Sequence, residues 1–387
     1  MLNQLPPLAI YIHWPFCLSK CPYCDFNSHV RTTLDQELYQ RTLLRELDYY
    51  AALLPQRRIT AVFFGGGTPS LMAPATVAAL IARVRSHWPL ATDIEITLEA
   101  NPTSVEAENF AVLAAAGVNR LSLGVQSFDD NTLHFLGRQH SGAQAQQAIA
   151  TAAHYFPRYS FDLIYAYAGQ TVDAWAQSLR AALPFARGHI SLYQLTIEAN
   201  TVFQSRTDRG ERLIAAADPA ADMFHLTQDL LRDAGLPAYE ISNHAAPGHE
   251  SRHNLTYWQY NDFIGIGPGA HGRFVDSQAQ RQATVAHKGP ETWARQVTSV
   301  GHGIQAQTLV TRMDAQQEAL MMGLRLYQGI SYASWRAKFD NDLLAYLDPA
   351  KVRRLQDEKL IQLTPTTLAP TPEGAARLNA VLRYLIA

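Results

Sequence analysis

The chain has 387 residues, 47% hydrophobic and 17% charged, enough apolar content for a sizeable buried core and too much for intrinsic disorder. Its 32 basic and 34 acidic side chains leave a net charge of -2, which excludes a global electrostatic footprint for nucleic acid or an anionic membrane. No apolar run approaches the roughly 18 residues that span a bilayer, and the opening MLNQLPPLAIYIHW lacks the cationic start and continuous apolar stretch of a signal peptide, so a soluble, cytoplasmic protein is expected.

In chain order, the first β-rich run is Leu8 to His13, and HWPFCLSKCPYCDF overlaps its end. That segment holds every cysteine of the chain, Cys17, Cys21 and Cys24. An odd number of thiols cannot pair fully into a disulfide framework, and their confinement to one short loop suits a metal. Spaced Cys-x3-Cys-x2-Cys, each can bind one iron of a cubane 4Fe-4S cluster, which leaves the fourth iron without a protein ligand. Zinc would need a fourth donor, for which His13 and His29 are available, but it prefers two separated ligand pairs; the spacing favours the cluster.

Further β-rich runs follow at Ile59 to Phe64, Asp93 to Leu98, Arg120 to Val125, Ser160 to Ile164 and Ile190 to Leu195, separated by helical patterns near 34–53, 74–87, 104–115, 141–155 and 172–185. The alternation predicts a parallel sheet covered by helices, either a partial or complete (β/α) barrel or an open doubly wound sheet. Both architectures place their sites at the C-terminal ends of the strands, and the unusual motifs sit there. GGGTPS ends the second run; it is no phosphate-binding P-loop, because the Gly-Lys-Ser/Thr ending is missing. LEANP puts Glu99 and Asn101 at the end of the third, LGVQSF puts Gln126 at the end of the fourth, and FDLIY carries Asp162 in the fifth. Each alone reads as an ordinary strand-end polar group; on one rim with the cysteines they read as a site.

Beyond residue 200 the pattern changes. A helix near 219–235 leads to YEIS (239–242), HNLTYW (253–258) and the glycine-rich FIGIGPGAHG (263–272). Helical patterns near 314–327, 348–357 and 372–386 surround the run IQLT (361–364) and predict a compact winged-helix-like unit. The expected organisation is a barrel with the cysteine loop over 1–235, a β-rich and loop extension carrying HNLTYW over 236–311, and a small accessory domain over 312–387.

Taken together, CPYCDF, GGGTPS, EANP, GVQSF and DLIY resemble the radical S-adenosylmethionine (SAM) superfamily, in the branch related to oxygen-independent coproporphyrinogen III oxidase, along nearly the whole chain. The resemblance implies an α/β fold, a partial (β/α)6 TIM-like barrel with a smaller C-terminal α+β domain of winged-helix type. It implies a 4Fe-4S cluster on Cys17, Cys21 and Cys24 and SAM chelated by the open iron, with an electron donor to the cluster as a partner. It also places Phe26 at the adenine, Gly66, Gly67 and Thr68 at the methionine amino group, Glu99 and Arg138 near the methionine moiety, and Gln126 and Asp162 near the ribose hydroxyls. One departure follows the fifth run, where the family commonly shows Gly-x-Pro before Gly-Gln and this chain has Ala166, Tyr167 and Ala168.

Within the branch, oxidases usually carry a fourth cysteine two positions after the third, where this chain has Phe26, and a long segment before the first strand, which here begins by Leu8. HNLTYW, by contrast, fits the His-Asn-x-x-Tyr-Trp signature of the haem-chaperone, HemW-type group. The resemblance therefore implies a haem carrier that delivers to recipient haem proteins, respiratory ones among them. The alternatives are a coproporphyrinogen oxidase-like enzyme of porphyrin biosynthesis and a radical SAM enzyme acting on haem. Haem-site candidates are His253 as axial ligand with Asn254, Tyr257 and Trp258 beside it, and His271 and His244 as other ligands. The plainer reading of HNLTYW is that Tyr257 and Trp258 pack a core while His253 and Asn254 cap a turn. No residue is assigned a catalytic role, no nucleic acid or integral membrane segment is expected, and a homodimer is left open.

Overall fold

The frame is six parallel strands: β1 (Pro7–Trp14), β2 (Arg58–Gly66), β3 (Leu90–Ala100), β4 (Arg120–Gln126), β5 (Arg158–Tyr165) and β6 (His189–Gln194). They lie in chain order across the sheet of a computed structural model that describes residues 6–31 and 33–386. The period of 2 along β1 explains how the sheet is used. Leu8, Ile10, Ile12 and Trp14 join a core shared with α1 (Gln36–Leu53) through Tyr39, Leu43, Leu47 and Tyr50, while Tyr11 and His13 turn to the opposite, inner face. The helix starts follow local chemistry. The Asp35 carboxylate accepts from the Leu38 N–H at the head of α1, Pro74 opens α2 (Pro74–His87), and Ser141 with Gln144 forms a capping box on α4 (Gly142–Tyr155), which follows α3 (Phe110–Ala116).

The sheet continues past both ends of this frame. β7 (Asn243–Ala245) pairs antiparallel with β6; on the other side β8 (Phe263–Ile266) runs parallel to β1 and leads into the antiparallel β9 (His271–Val275), β10 (Arg281–Ala286) and β11 (Ile304–Leu309). The glycine-rich stretch at 263–272 thus lies in two strands of the barrel sheet, Phe263–Ile266 and His271–Val275. Buried Glu46 of α1 fastens this extension: its carboxylate accepts from the N–H groups of Gly267 and Gly303 at 2.8 and 2.6 Å and from Trp293 Nε1 at 3.0 Å.

One local expectation changes, in that the single helix over 104–115 divides into Ser104–Ala107 and Phe110–Ala116. YEIS forms only an isolated bridge, at Glu240. HNLTYW lies in a helix, Arg252–Trp258, capped by the Ser251 hydroxyl. The last segment has its own core around Leu320, Leu324, Trp335, Leu355 and Leu368, with helices packed on a three-stranded sheet of Ile330–Ser331, Thr367–Pro370 and Ile361–Leu363. This is the expected winged-helix-like arrangement.

Candidate functional site

The cysteine loop leaves β1 at the C-terminal edge of the sheet and is stitched to the end of β2 by backbone bonds. Gly67 N–H donates to Trp14 O at 2.7 Å and Thr68 N–H to Phe16 O at 2.8 Å. This close approach explains the glycines. A Cβ on Gly67 would lie 2.6 Å from Phe16 O and 2.9 Å from Phe16 N, against backbone that cannot move without the loop, and Gly66 has φ of 115° with His13 against its Cα. Gly67→Ala is therefore expected to displace the cysteine loop and reduce iron uptake on reconstitution, measured as iron per chain, while far-ultraviolet circular dichroism stays close to that of the parent.

Below the loop, inner-face residues hold it from the barrel side. Tyr11 Oη and His13 Nδ1 lie 2.9 Å apart, and His13 Nε2 is 2.8 Å from the carbonyl oxygen of Asn27. The Asn27 amide donates in turn to Pro268 O and Lys288 O at 2.9 and 3.0 Å, which ties the loop to the glycine-rich turn between β8 and β9 and to the segment after β10. Burial lowers the His13 pKa to about 4, so this contact is made by a neutral imidazole.

The three thiols are free and half-buried, and burial pushes those of Cys17 and Cys24 upward. They open onto one cavity of about 580 Å3. The same cavity is lined by Phe26, Gly66, Gly67, Thr68, Glu99, Gln126, Arg138 and Asp162, so the structure brings together every residue expected at the cluster and at SAM. Two donors reach the sulfurs, Arg138 Nη1 to Cys21 Sγ at 3.3 Å and Thr68 Oγ1 to Cys17 Sγ at 3.5 Å. Among the described residues no three His, Cys, Asp or Glu side chains gather as ligands of a single ion would. A cluster asks for something else, one thiolate for each of three irons.

The walls are chemically uneven. Gly66 N–H donates to the Glu99 carboxylate at 3.2 Å. Burial, reinforced for Glu99 by neighbouring Asp162, pushes the Glu99 and Asp162 carboxyls up to about 8 and about 7. Gln126 sits at φ of 68°, and its buried Oε1 has no hydrogen-bond partner, an acceptor left for a ligand. Arg138 supplies a guanidinium from the far wall. Carboxylates, an orphan amide oxygen and a guanidinium around one space fit a ligand that carries an amino group, a carboxylate and sugar hydroxyls. The departure after β5 keeps its turn at some strain: Ala166 takes φ of 62°, and its N–H donates to Gln170 Oε1 at 2.6 Å.

Sequence reading left some of the lining unassigned. Tyr193 lies within the sixth run and Thr196 and Glu198 just after it, where the strand-end rule applies to them, and Asn101 lines the cavity as well.

The haem candidates lie elsewhere. None of His253, Asn254, Tyr257 and Trp258 lines the cavity. His253 is 2% exposed, its ring stacked on Phe63 at 4.6 Å between centroids and bonded to the Tyr257 hydroxyl. Burial lowers its pKa to about 3, so it is neutral; its Nε2 is taken by the Tyr257 hydroxyl and its Nδ1 is buried, so neither ring nitrogen is open to an iron in this conformation. Trp258 lies under the guanidinium of Arg325, 4.5 Å from the ring centroid, and Arg325 pairs with buried Glu240 at 3.5 Å. In this conformation HNLTYW packs His253 against Phe63 of the sheet and Trp258 against Arg325 of the C-terminal unit, apart from the cavity of the cysteines. His244 is also buried, at 1% exposure, whereas His271 is exposed at the start of β9.

Comparison with known proteins gives consistent matches. A family model described as the radical SAM superfamily matches residues 11–182, and one described as the HemN C-terminal domain matches 310–376. The chain is 40% identical to radical S-adenosyl methionine domain-containing protein 1, mitochondrial, of Bos taurus, over 98% of this chain and 87% of that one. It is 38% identical to heme chaperone HemW of Escherichia coli over 99% of each chain, and 37% identical to heme chaperone HemW of Mycobacterium tuberculosis over 98% and 95%. Among solved structures, coproporphyrinogen III oxidase (HemN) from Escherichia coli superposes with a TM-score of 0.82 at 21% identity, covering 98% of this chain and 90% of that one; this likeness shows the fold. No helix among the described residues is long and apolar enough to cross a membrane.

Proposed function

The chain belongs to the radical SAM superfamily, in its HemW-type group, and on that footing we propose that it is a haem chaperone that binds haem and delivers it to recipient haem proteins. Membership of the superfamily implies a 4Fe-4S cluster and SAM. The observation that carries the proposal is the near full-length relation to HemW proteins, combined with Phe26 standing 59% exposed at the cavity mouth where the related oxidases have a further cysteine.

In this reading Cys17, Cys21 and Cys24 hold the cluster, with Phe26 along the adenine. Gly66, Gly67 and Thr68 meet the amino group, Glu99 and Arg138 the methionine moiety, and Gln126 and Asp162 the ribose. When bound, the cluster supplies an electron able to cleave the sulfonium of SAM. The chain's own residues bind and orient. The barrel supplies this site over 1–235, the extension over 236–311 buttresses it, and 312–387 forms the accessory domain. Three free thiols in one loop suit a reducing compartment such as the cytoplasm.

For the haem we propose His271 as axial ligand. The residue is solvent-accessible at the start of β9 while its ring is partly shielded from water, and this partial desolvation together with the nearby cations Arg273 and Lys288 lowers its pKa, which leaves a neutral imidazole beside positive charge suited to propionates. Two assays test the function together. The reconstituted protein is expected to bind haem with a Soret band that His271→Ala shifts and weakens. It is also expected to form no protoporphyrinogen from coproporphyrinogen III under anaerobic reducing conditions. Turnover in the second assay would make it an oxidase.

The raised carboxyl of Glu99 gives a pH signature for SAM. In the empty site this acid is protonated below about 8, and a cationic ligand favours its ionised form, so binding must release the proton. SAM affinity is expected to rise as pH increases through the neutral range and to level off above about 8, and Glu99→Gln should reduce the slope to the part that Asp162, raised to about 7, contributes. Titration calorimetry in buffers of different ionisation enthalpy reads the released proton directly.

A further inference from the structure

Asn101 stands just past the end of β3, and its side-chain amide touches two groups, each of which reaches a cysteine of the loop. Its Oδ1 accepts from Arg138 Nη2 at 2.6 Å, and its Nδ2 donates to Thr68 Oγ1 at 3.2 Å. Arg138 Nη1 continues to Cys21 Sγ and Thr68 Oγ1 to Cys17 Sγ. The backbone of Asn101 is fixed as well: its N–H donates to Glu106 Oε2 at 2.7 Å, and that buried carboxylate is also bonded by the Ser70 hydroxyl.

Donor and acceptor chemistry makes this arrangement directional. A guanidinium can only donate, so the amide must turn its oxygen to Arg138 and its nitrogen to Thr68. The amide N–H then occupies a lone pair of the Thr68 hydroxyl, and the hydroxyl proton is left to point at Cys17 Sγ. One amide therefore sets two hydrogen bonds, to sulfurs at two of the three thiols. A carboxylate would accept from Arg138 equally well but has no N–H, and it would draw the Thr68 proton away from sulfur.

We propose that Asn101 is a positioning residue that sets the hydrogen bonding, and hence the reduction potential, of the cluster held by Cys17, Cys21 and Cys24 by fixing Arg138 and directing the Thr68 hydroxyl. It rests on the reading of those cysteines as cluster ligands. Hydrogen bonds to cluster sulfurs and the net charge around the cluster both set its potential, and donors to sulfur stabilise the more negative, reduced form. Asn101→Asp removes a donor, redirects another and adds negative charge, so all its effects move the midpoint the same way.

The test compares reconstituted wild type, Asn101→Asp, Thr68→Val and the double variant by iron and sulfide content and by redox titration followed by electron paramagnetic resonance. The expected result is a wild-type content of iron in Asn101→Asp with a midpoint shifted to more negative potential. Thr68→Val should shift it in the same direction, and the double variant should shift it by less than the two single shifts combined, because both remove the same bond to Cys17. Asn101→Leu, uncharged and near in size, carries the same comparison should the aspartate prevent folding. An unmoved midpoint, or additive shifts in the double variant, would overturn the role of Asn101 while leaving the cluster assignment intact. A wild-type protein that takes up no cluster would overturn both.

Discussion

Cys21→Ala is expected to abolish the visible absorbance of the reconstituted protein and most of its iron, the largest change of any single substitution in the site. A cubane held by three thiolates has no spare protein ligand, and these are the only cysteines in the chain, so no neighbouring thiol can replace a lost one. Cys21 is also the thiol that Arg138 grips at 3.3 Å. Removing the sulfur leaves one arm of a buried guanidinium without its partner, and a buried unsatisfied group costs about 1–3 kcal/mol. The variant should thus lose thermal stability even when neither it nor the parent carries a cluster, which separates the structural part of the effect from the loss of metal. Retention of a full iron complement would remove Cys21 from the ligand set.

Much of this site was legible in the sequence for a physical reason. In a parallel (β/α) sheet the strand ends converge on one edge, so a polar residue directly after an apolar run has its place determined by topology alone. Glu99, Gln126 and Asp162 lie on different strands, yet each was placed by counting from its own run, and all line one cavity. The orientation of Asn101 was not legible, because it depends on Arg138, 37 positions away, reaching across the cavity to the same amide. Nor was the part taken by residues 263–275. The glycines of this stretch allow strands to pack closely: a Cβ on Gly265 would lie 2.2 Å from His271 O. HNLTYW is ambiguous for the opposite reason. A short aromatic and histidine motif has the same letters whether it faces a porphyrin or a core; in this conformation its histidine ring stacks on Phe63.

That stack yields the second large effect, in His253→Ala. The ring is fully packed, with Phe63 on its face and Tyr11 next to it at 6.0 Å between centroids. It is also the partner of the Tyr257 hydroxyl. Its backbone N–H points to Glu95 Oε1 at 3.3 Å, in the bond set that anchors the start of the Arg252–Trp258 helix, and the substitution leaves this untouched. Truncating the side chain therefore leaves a cavity and an unpaired buried hydroxyl while the helix stays anchored, a combined cost of about 2–4 kcal/mol. The histidine is neutral in the fold, with a pKa of about 3, but takes up a proton near 6.5 in the unfolded chain, so the parent loses stability as pH falls through that value and the penalty of the substitution should be smaller at about pH 6 than at about pH 8. Chemical denaturation of the parent and variant measures it, and His253→Phe, which fills the space but cannot bond Tyr257, divides it between packing and hydrogen bond. With His253 enclosed and His271 open to solvent, His253→Ala should lose stability and keep its haem titration, while His271→Ala should do the reverse. A His253→Ala protein that is as stable as the parent and has lost haem would mean that the HNLTYW helix leaves the barrel to take its cargo, and would return the axial ligand to His253.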